Sequence, residues 1–155
     1  MTSRSSPTFL PNDRIQHVHH VDVAGTDAGA ALLTEISSNG GNVQFNYRAG
    51  SATTRGSLFS RDSVITYDPA HRPIISTTAG PKAAQPKYVL SHELHHAWKN
   101  SLSCWLGCSR PLVLPGSVPR GQNPWEAHAV RYTNRIRAQA GAGYQRTHYD
   151  GFAVP

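Results

Sequence analysis

Five consecutive residues, His92-Glu93-Leu94-His95-His96, constrain this chain more than any other stretch, because they match H-E-x-x-H, the pattern of a helical zinc site. Residues four apart on a helix lie one above the other, with Cβ atoms about 5–6 Å apart. His92 and His96 can therefore offer both imidazoles to one ion, and zinc accepts imidazole nitrogen readily. Glu93 sits roughly 100° further round the helix, beside the ion and not on it. From there its carboxylate can take the proton of a metal-polarised water as that water attacks a carbonyl. His95 cannot replace His96, since the second ligand must follow the first by four; it is expected to face solvent or the outer layer of the site. The flanks support a helix. Leu90, Leu94 and Ala97 repeat at i, i+4 and i+7, Pro86 suits the first helical position, and Gly107 suits the end. A surface helix with incidental histidines is the bland alternative, and it fits this apolar stripe poorly.

A catalytic zinc site takes three protein ligands and keeps one position open. The third must come from elsewhere in the chain. The H-x-x-G-x-x-H continuation of metzincins is excluded, because Lys99 and Leu102 stand where Gly and His belong. Glu126 is the best candidate: it opens a second helical stretch 30 residues after His96, as in gluzincins, and the only other glutamates are Glu35 and Glu93. The competing role for Glu126 is the third position of a capping box with Asn123. His128 and Asp150 are the reserve ligands. Near the C-terminus, Arg146-Thr147-His148-Tyr149 forms an R-x-x-Y tail. Such a tail could return to the cleft, with Tyr149 donating to the oxyanion of the reaction and Arg146 orienting it; otherwise both are surface residues.

With 155 residues, the chain reads as one domain at 15–155 behind a flexible leader at 1–14. No apolar run approaches the ~18 residues of a membrane span. The net charge is +6, with twelve arginines among the fifteen cations, but the arginines are scattered. They lack the basic run and aromatic interleaving of a nucleic-acid platform, so no nucleic-acid partner is expected. Cys104 and Cys108 are a lone C-x-x-x-C pair, a weak metal signal; they read as small buried hydrophobes, with a short-loop disulfide as the alternative.

Along the chain, the β-branched run His17–Val23 predicts a strand, with His17 and His19 on one face that reads as solvated, a second metal site being the alternative. Gly25-Thr26-Asp27 has turn and cap chemistry, and a short helix follows over Ala28 to Ile36 with Ala28, Leu32 and Ile36 on one face. Ser37-Ser38-Asn39-Gly40-Gly41 stops it. Val43–Tyr47 alternates as a half-buried strand, a Gly/Ser/Thr-rich segment runs to Ser63, and Val64–Tyr67 is a further strand closed by Asp68-Pro69. Residues 69–85 read as a surface loop and 107–122 as part of the cleft wall. Asn123 as N-cap and Pro124 as first helical residue then open a helix whose core face is Trp125, Ala129, Tyr132 and Ile136, ended by Gly141.

These pieces, in this order, resemble the NleD-like effector zinc metallopeptidases, secreted by plant- and animal-associated bacteria and also found as tips of polymorphic toxins. The resemblance spans Val18 to Tyr149. It is carried by Val23-Ala24-Gly25-Thr26, Ile65-Thr66-Tyr67-Asp68-Pro69, His92-Glu93-Leu94-His95-His96-Ala97, Asn123-Pro124-Trp125-Glu126, Asn134-Arg135-Ile136-Arg137 and Arg146-Thr147-His148-Tyr149. It implies a minimal α+β zincin-like fold: a small sheet, an active-site helix and a downstream C-terminal helix. It also implies zinc on His92, His96 and Glu126, with Glu93 as base. Family members often pair two acidic residues at the third-ligand position; here Ala127 follows Glu126, so Glu126 stands alone. The expected activity is that of a monomeric zinc endopeptidase, secreted by bacteria and acting on a protein in the target-cell cytoplasm. Signalling kinases are the family's known example. The alternative is a catalytically idle zincin-fold module that binds a host protein, against which the intact Glu93 argues.

Overall fold

The computed structural model describes residues 22–56, 60–102 and 121–154. The expectations for the leader, His17, His19, Cys104, Cys108 and residues 107–120 lie outside them. The architecture is α+β. Three helices carry most of the buried surface: α1 (Asp27–Ser38), α2 (Pro86–Ser101) and α3 (Pro124–Gln139). A three-stranded sheet is formed by β1 (Val43–Tyr47), β2 (Ala52–Gly56) and β3 (Ser63–Tyr67), in the order β1-β3-β2. Two short antiparallel pairs complete it: β4 (Ile74–Ile75) with β5 (Lys82–Ala83), and β6 (His148–Tyr149) with β7 (Phe152–Ala153).

The entry to α1 departs from the expected strand, because residues 22–24 are helical. The carbonyl of Val23 accepts from both the backbone N–H (3.2 Å) and the hydroxyl (3.1 Å) of Thr26, which turns the chain into α1. Thr26 Oγ1 in turn accepts from Gly29 N at 3.1 Å as the N-cap. Local cap chemistry therefore overrides the β-propensity of the run. Gly29 is required here. A Cβ on it would lie 1.9 Å from the Val23 carbonyl oxygen, a backbone atom that cannot move without undoing the cap. Gly29→Ala is expected to lower stability by about 1–3 kcal/mol, as overpacking does; urea unfolding checks this, and an unchanged midpoint would contradict it.

Central β3 is covered on the core side, burying Ser63, Ile65 and Tyr67. It pairs with β1 in parallel and with β2 antiparallel, Thr54 opposite Ile65. Strand β2 lies within the stretch expected as a Gly/Ser/Thr-rich connection; its strand character comes from pairing with β3 more than from its own propensity. Residues 69–85 likewise hold the β4–β5 pair, with Ile75 and Ala84 buried, where a surface loop was expected.

The helix positions hold closely, but the core face of α3 is shifted. Ala129 and Ile136 are buried and Tyr132 packs on the core, whereas Trp125 is only part-buried beneath Lys99. Ala127, Val130, Thr133 and Arg137 complete the buried face. Helix α2 starts at Pro86 and buries Leu90, Leu94 and Ala97 against Leu32, Ile36, Ile65 and Tyr67, but it ends at Ser101, ahead of Gly107. Helix α3 is capped by the Asn123 side chain, which accepts from Trp125 N at 3.0 Å, and stops before Gly141 at φ 69. Tyr132 on α3 donates its hydroxyl to Ala28 O (2.8 Å), and Gln139 accepts from Ala28 N (2.8 Å). These two bonds hold the end of α3 against the start of α1, so that α3's first turn lies over the middle of α2. That crossing sets the site.

Candidate metal centre and cleft

His92 and His96 share one face of α2, and Glu126, in the first turn of α3, points its carboxylate at both. Glu126 Oε2 lies 3.0 Å from His92 Nε2 and 3.3 Å from His96 Nε2, and the two imidazole nitrogens are 3.2 Å apart. Hydrogen bonds cannot satisfy this triangle. If both imidazoles donate to the carboxylate oxygen, their nitrogens are left facing each other with nothing to bind them. A cation among the three donors satisfies all of them. Ligands held about 2.0–2.1 Å from zinc at the tetrahedral angle lie roughly 3.3–3.4 Å from one another, which the three separations approach. The donor set thus fits a metal; two imidazoles and one carboxylate suit zinc, and ferrous iron as well. The electrostatics agree with a charged ligand. Burial works against the Glu126 carboxylate, yet the bonds from His92 and His96 outweigh it and hold the group well below the usual carboxylate range. The cap of α3 is made by Asn123 without the Glu126 side chain.

Glu93 is buried at 7% exposure and lines the same cleft as the three donors. The hydroxyl of Thr54 on β2 lies 2.8 Å from Glu93 Oε2 and 2.9 Å from the Glu93 backbone carbonyl, fixing the carboxyl beside the donors. Thr54 was not foreseen from the sequence. Its signal was a pair of adjacent β-branched threonines, Thr53-Thr54, inside a stretch that composition marks as loop.

The R-x-x-Y tail does return to the cleft. The side-chain amide of Asn134 on α3 accepts from Arg146 N and donates to Arg146 O, both at 2.8 Å, acting as a one-residue strand partner. Thr147 N donates to Ser76 O and Thr78 N to Gln145 O, each at 2.9 Å, which ties the tail to the β4–β5 connection. Tyr149 then stacks on His92, ring centroids 5.5 Å apart at 14°, and the Arg146 guanidinium lies 4.6 Å over the Tyr149 ring. Burial, and then the Glu126 carboxylate beside its hydroxyl, push the Tyr149 phenol above its ordinary pKa, so it is a proton-bearing donor.

The reserve ligands stand apart from the triangle. His128 Nδ1 is 2.6 Å from His95 Nε2, and its ring stacks on Trp98 at 12°. His95 itself is fully buried, at 0% exposure, and does not face solvent. The crossing of α3 covers that face of α2, and burial lowers the His95 pKa to about 2, keeping the ring neutral. Asp150 sits on the exposed β6–β7 turn with φ 47.

With H-E-x-x-H on a helix beneath a sheet edge, comparison with known families decides the class. The chain belongs to the Peptidase_M91 family. That family is described as effector protein and matches residues 13–103, which include α2 with His92, Glu93 and His96. Peptidase_M91 is the NleD-like group that the motifs resemble, so the chain belongs to a family of bacterial effector proteases. Glu126 and Tyr149 lie beyond the matched Peptidase_M91 segment. No curated protein and no solved structure matches the chain. None of the described helices is long and apolar enough to cross a membrane.

Proposed function

We propose that this protein is a zinc endopeptidase, secreted by a bacterium and acting as a monomer on a protein in the target-cell cytoplasm. The observation that carries the reading is the triangle of His92, His96 and Glu126 donors with Glu93 fixed beside it. Zinc, when bound there, supplies Lewis acidity toward water and a scissile carbonyl. Glu93 takes the proton of the attacking water and returns it to the leaving amine. Thr54 keeps that carboxylate aimed. Tyr149 donates its phenol to the carbonyl oxygen as negative charge develops there, and Arg146 holds the phenol in place. Strand β2 pairs only with β3 among the described residues, so its other edge is available to an extended substrate passing the donors. The clefts on either side of Glu93 meet at Ala52, His92, Glu93 and Tyr149, as a chain threading the site requires.

Mapping new protein N-termini in target-cell lysate treated with wild type or Glu93→Gln tests the reading. It predicts a small set of cleavages by wild type alone. No cleavage by either, with retention of one common partner by both, would favour the idle binding module. Tyr149→Phe tests the oxyanion role: it removes one hydroxyl and little packing. It should lower kcat by roughly 10–1,000-fold with KM and metal content nearly unchanged, and steady-state kinetics at a wild-type kcat would remove Tyr149 from the mechanism.

A further inference from the structure

Behind Glu93 and Tyr149, on the side of the cleft away from His96, lies a pocket of about 200 Å³. Its inner wall is apolar, with Ile75, Ala84, Tyr88 and Val130 each at most 4% exposed, while Glu93, Arg146, Tyr149 and Asp150 line its polar side. Two polar side chains from α3 break that lining, Thr133 at 1% exposure and Arg137 at 3%. Thr133 Oγ1 and Arg137 Nε are both buried without a hydrogen-bond partner among the described residues. A buried guanidinium ordinarily has a carboxylate beside it, because an uncompensated charge is costly away from water. Arg137 has only neutral company. Its Nη1 donates to Asn134 Oδ1 at 2.8 Å, its plane lies 4.9 Å over the Tyr88 ring, and Tyr144 is a further hydrogen-bonding neighbour. Among the charged groups, Arg146 acts on it with the same sign, and Arg146, Glu93 and Asp150 all line the pocket. Burial lowers the Arg137 pKa to about 10, so the group stays cationic at neutral pH.

Within the fold Arg137 braces Asn134 and stacks on Tyr88, but no acidic partner balances its charge among these contacts; a substrate would. We propose that the pocket is a specificity subsite that receives an acidic side chain, aspartate or glutamate, next to the scissile bond. Arg137 and Thr133 are its donors. An anion there completes the missing ion pair and brings acceptors to the Arg137 and Thr133 side chains, while a neutral isostere such as glutamine brings an acceptor but leaves the buried charge uncompensated. Selection by a buried polar site works through that penalty. Arg146 at the rim adds attraction, and the apolar walls pack the methylene groups. The subsite belongs to the peptidase reading above and depends on it for its biological meaning.

Two measurements test the subsite. In the first, zinc-loaded wild type is incubated with an amine-blocked peptide mixture from digested cell protein, and the new N-termini are sequenced. Asp and Glu should be enriched at least about tenfold at one position within two residues of the cut. Thr133→Val, which keeps the shape, and Arg137→Met should bring the enrichment close to background, with Arg137→Lys retaining part of it. Cleavage without acid preference, a preference untouched by Thr133→Val and Arg137→Met, or cuts confined to peptide C-terminal residues would overturn the proposal, the last in favour of a free carboxylate. The second measurement needs no turnover. Arginine Nε–H resonances of the Glu93→Gln protein are followed during titration with acetyl-Gly-Glu-Gly-amide and acetyl-Gly-Gln-Gly-amide. One resonance, absent in Arg137→Lys, should shift with the glutamate peptide alone; equal responses, or none, would overturn the subsite. Should wild type cleave nothing while this shift occurs, the peptidase reading fails and the acid-binding pocket stands.

Discussion

Glu93→Gln is expected to leave a folded, metal-competent protein whose turnover falls by about 100–10,000-fold, the usual contribution of a positioned general base. The substitution is close to isosteric. The Gln carbonyl oxygen can still accept from the Thr54 hydroxyl, which lies 2.8 Å from the present carboxylate oxygen, so the α2–β2 contact survives. Glu93 contributes no donor to the His92–His96–Glu126 triangle, so metal content should not change. What disappears is the carboxylate that, among the described residues, lies beside the donors without joining them and is expected to take the proton from water. Turnover, metal content and thermal melting measured on the same preparation separate these effects. A mutant that cleaves at the wild-type rate removes Glu93 as base, and one that is inactive but unfolded says only that the carboxylate is structural.

Glu126→Gln carries the second large effect. The carboxylate faces both imidazoles, and an amide in its place brings no charge and a weaker donor. Losing a mere hydrogen-bond partner of a ligand costs about 10–100-fold in metal affinity; losing the ligand itself should exceed the upper end of that range. The metal-free protein should melt almost as before, because the N-cap of α3 comes from Asn123. Equilibrium competition with a chelator gives the affinity, and calorimetry gives the melting. Intact affinity with a destabilised metal-free form would return Glu126 to the capping role and reopen the search for a third ligand.

The parts of this site that were legible in the sequence are those written locally. Pro86 and the Leu90, Leu94, Ala97 stripe announce α2, and Asn123-Pro124 announces α3, since caps and periodicity act within a few residues. Glu126 could be named as a ligand because a helix start fixes where its first-turn side chains project. Strand β2 was not legible. In Ala52–Gly56 only Thr53 and Thr54 favour a strand, flanked by Ala, Arg and Gly, and the segment becomes one by pairing with β3. Thr54 was hidden with it. His95 was misplaced for the same reason: one helix alone does not say which second helix will cover it. The R-x-x-Y spacing hinted that Tyr149 and Arg146 act together, but the Asn134 bonds that hold Arg146 in place depend on how α3 lies against the tail. Even the α1 entry was misread, because two bonds from Thr26 to the Val23 carbonyl outweigh the preference of a β-branched run.

One zinc ion is expected among His92, His96 and Glu126. X-ray absorption at the zinc K-edge, on full-length protein purified without chelator and then on His96→Ala, tests it most directly. Wild type should hold about one zinc per chain, with two imidazole nitrogens at roughly 2.0–2.1 Å and carboxylate oxygen at about 2.0–2.2 Å, and His96→Ala should lose that signal. A metal-free wild type that takes up no zinc on addition, or an unchanged zinc environment in His96→Ala, would contradict it.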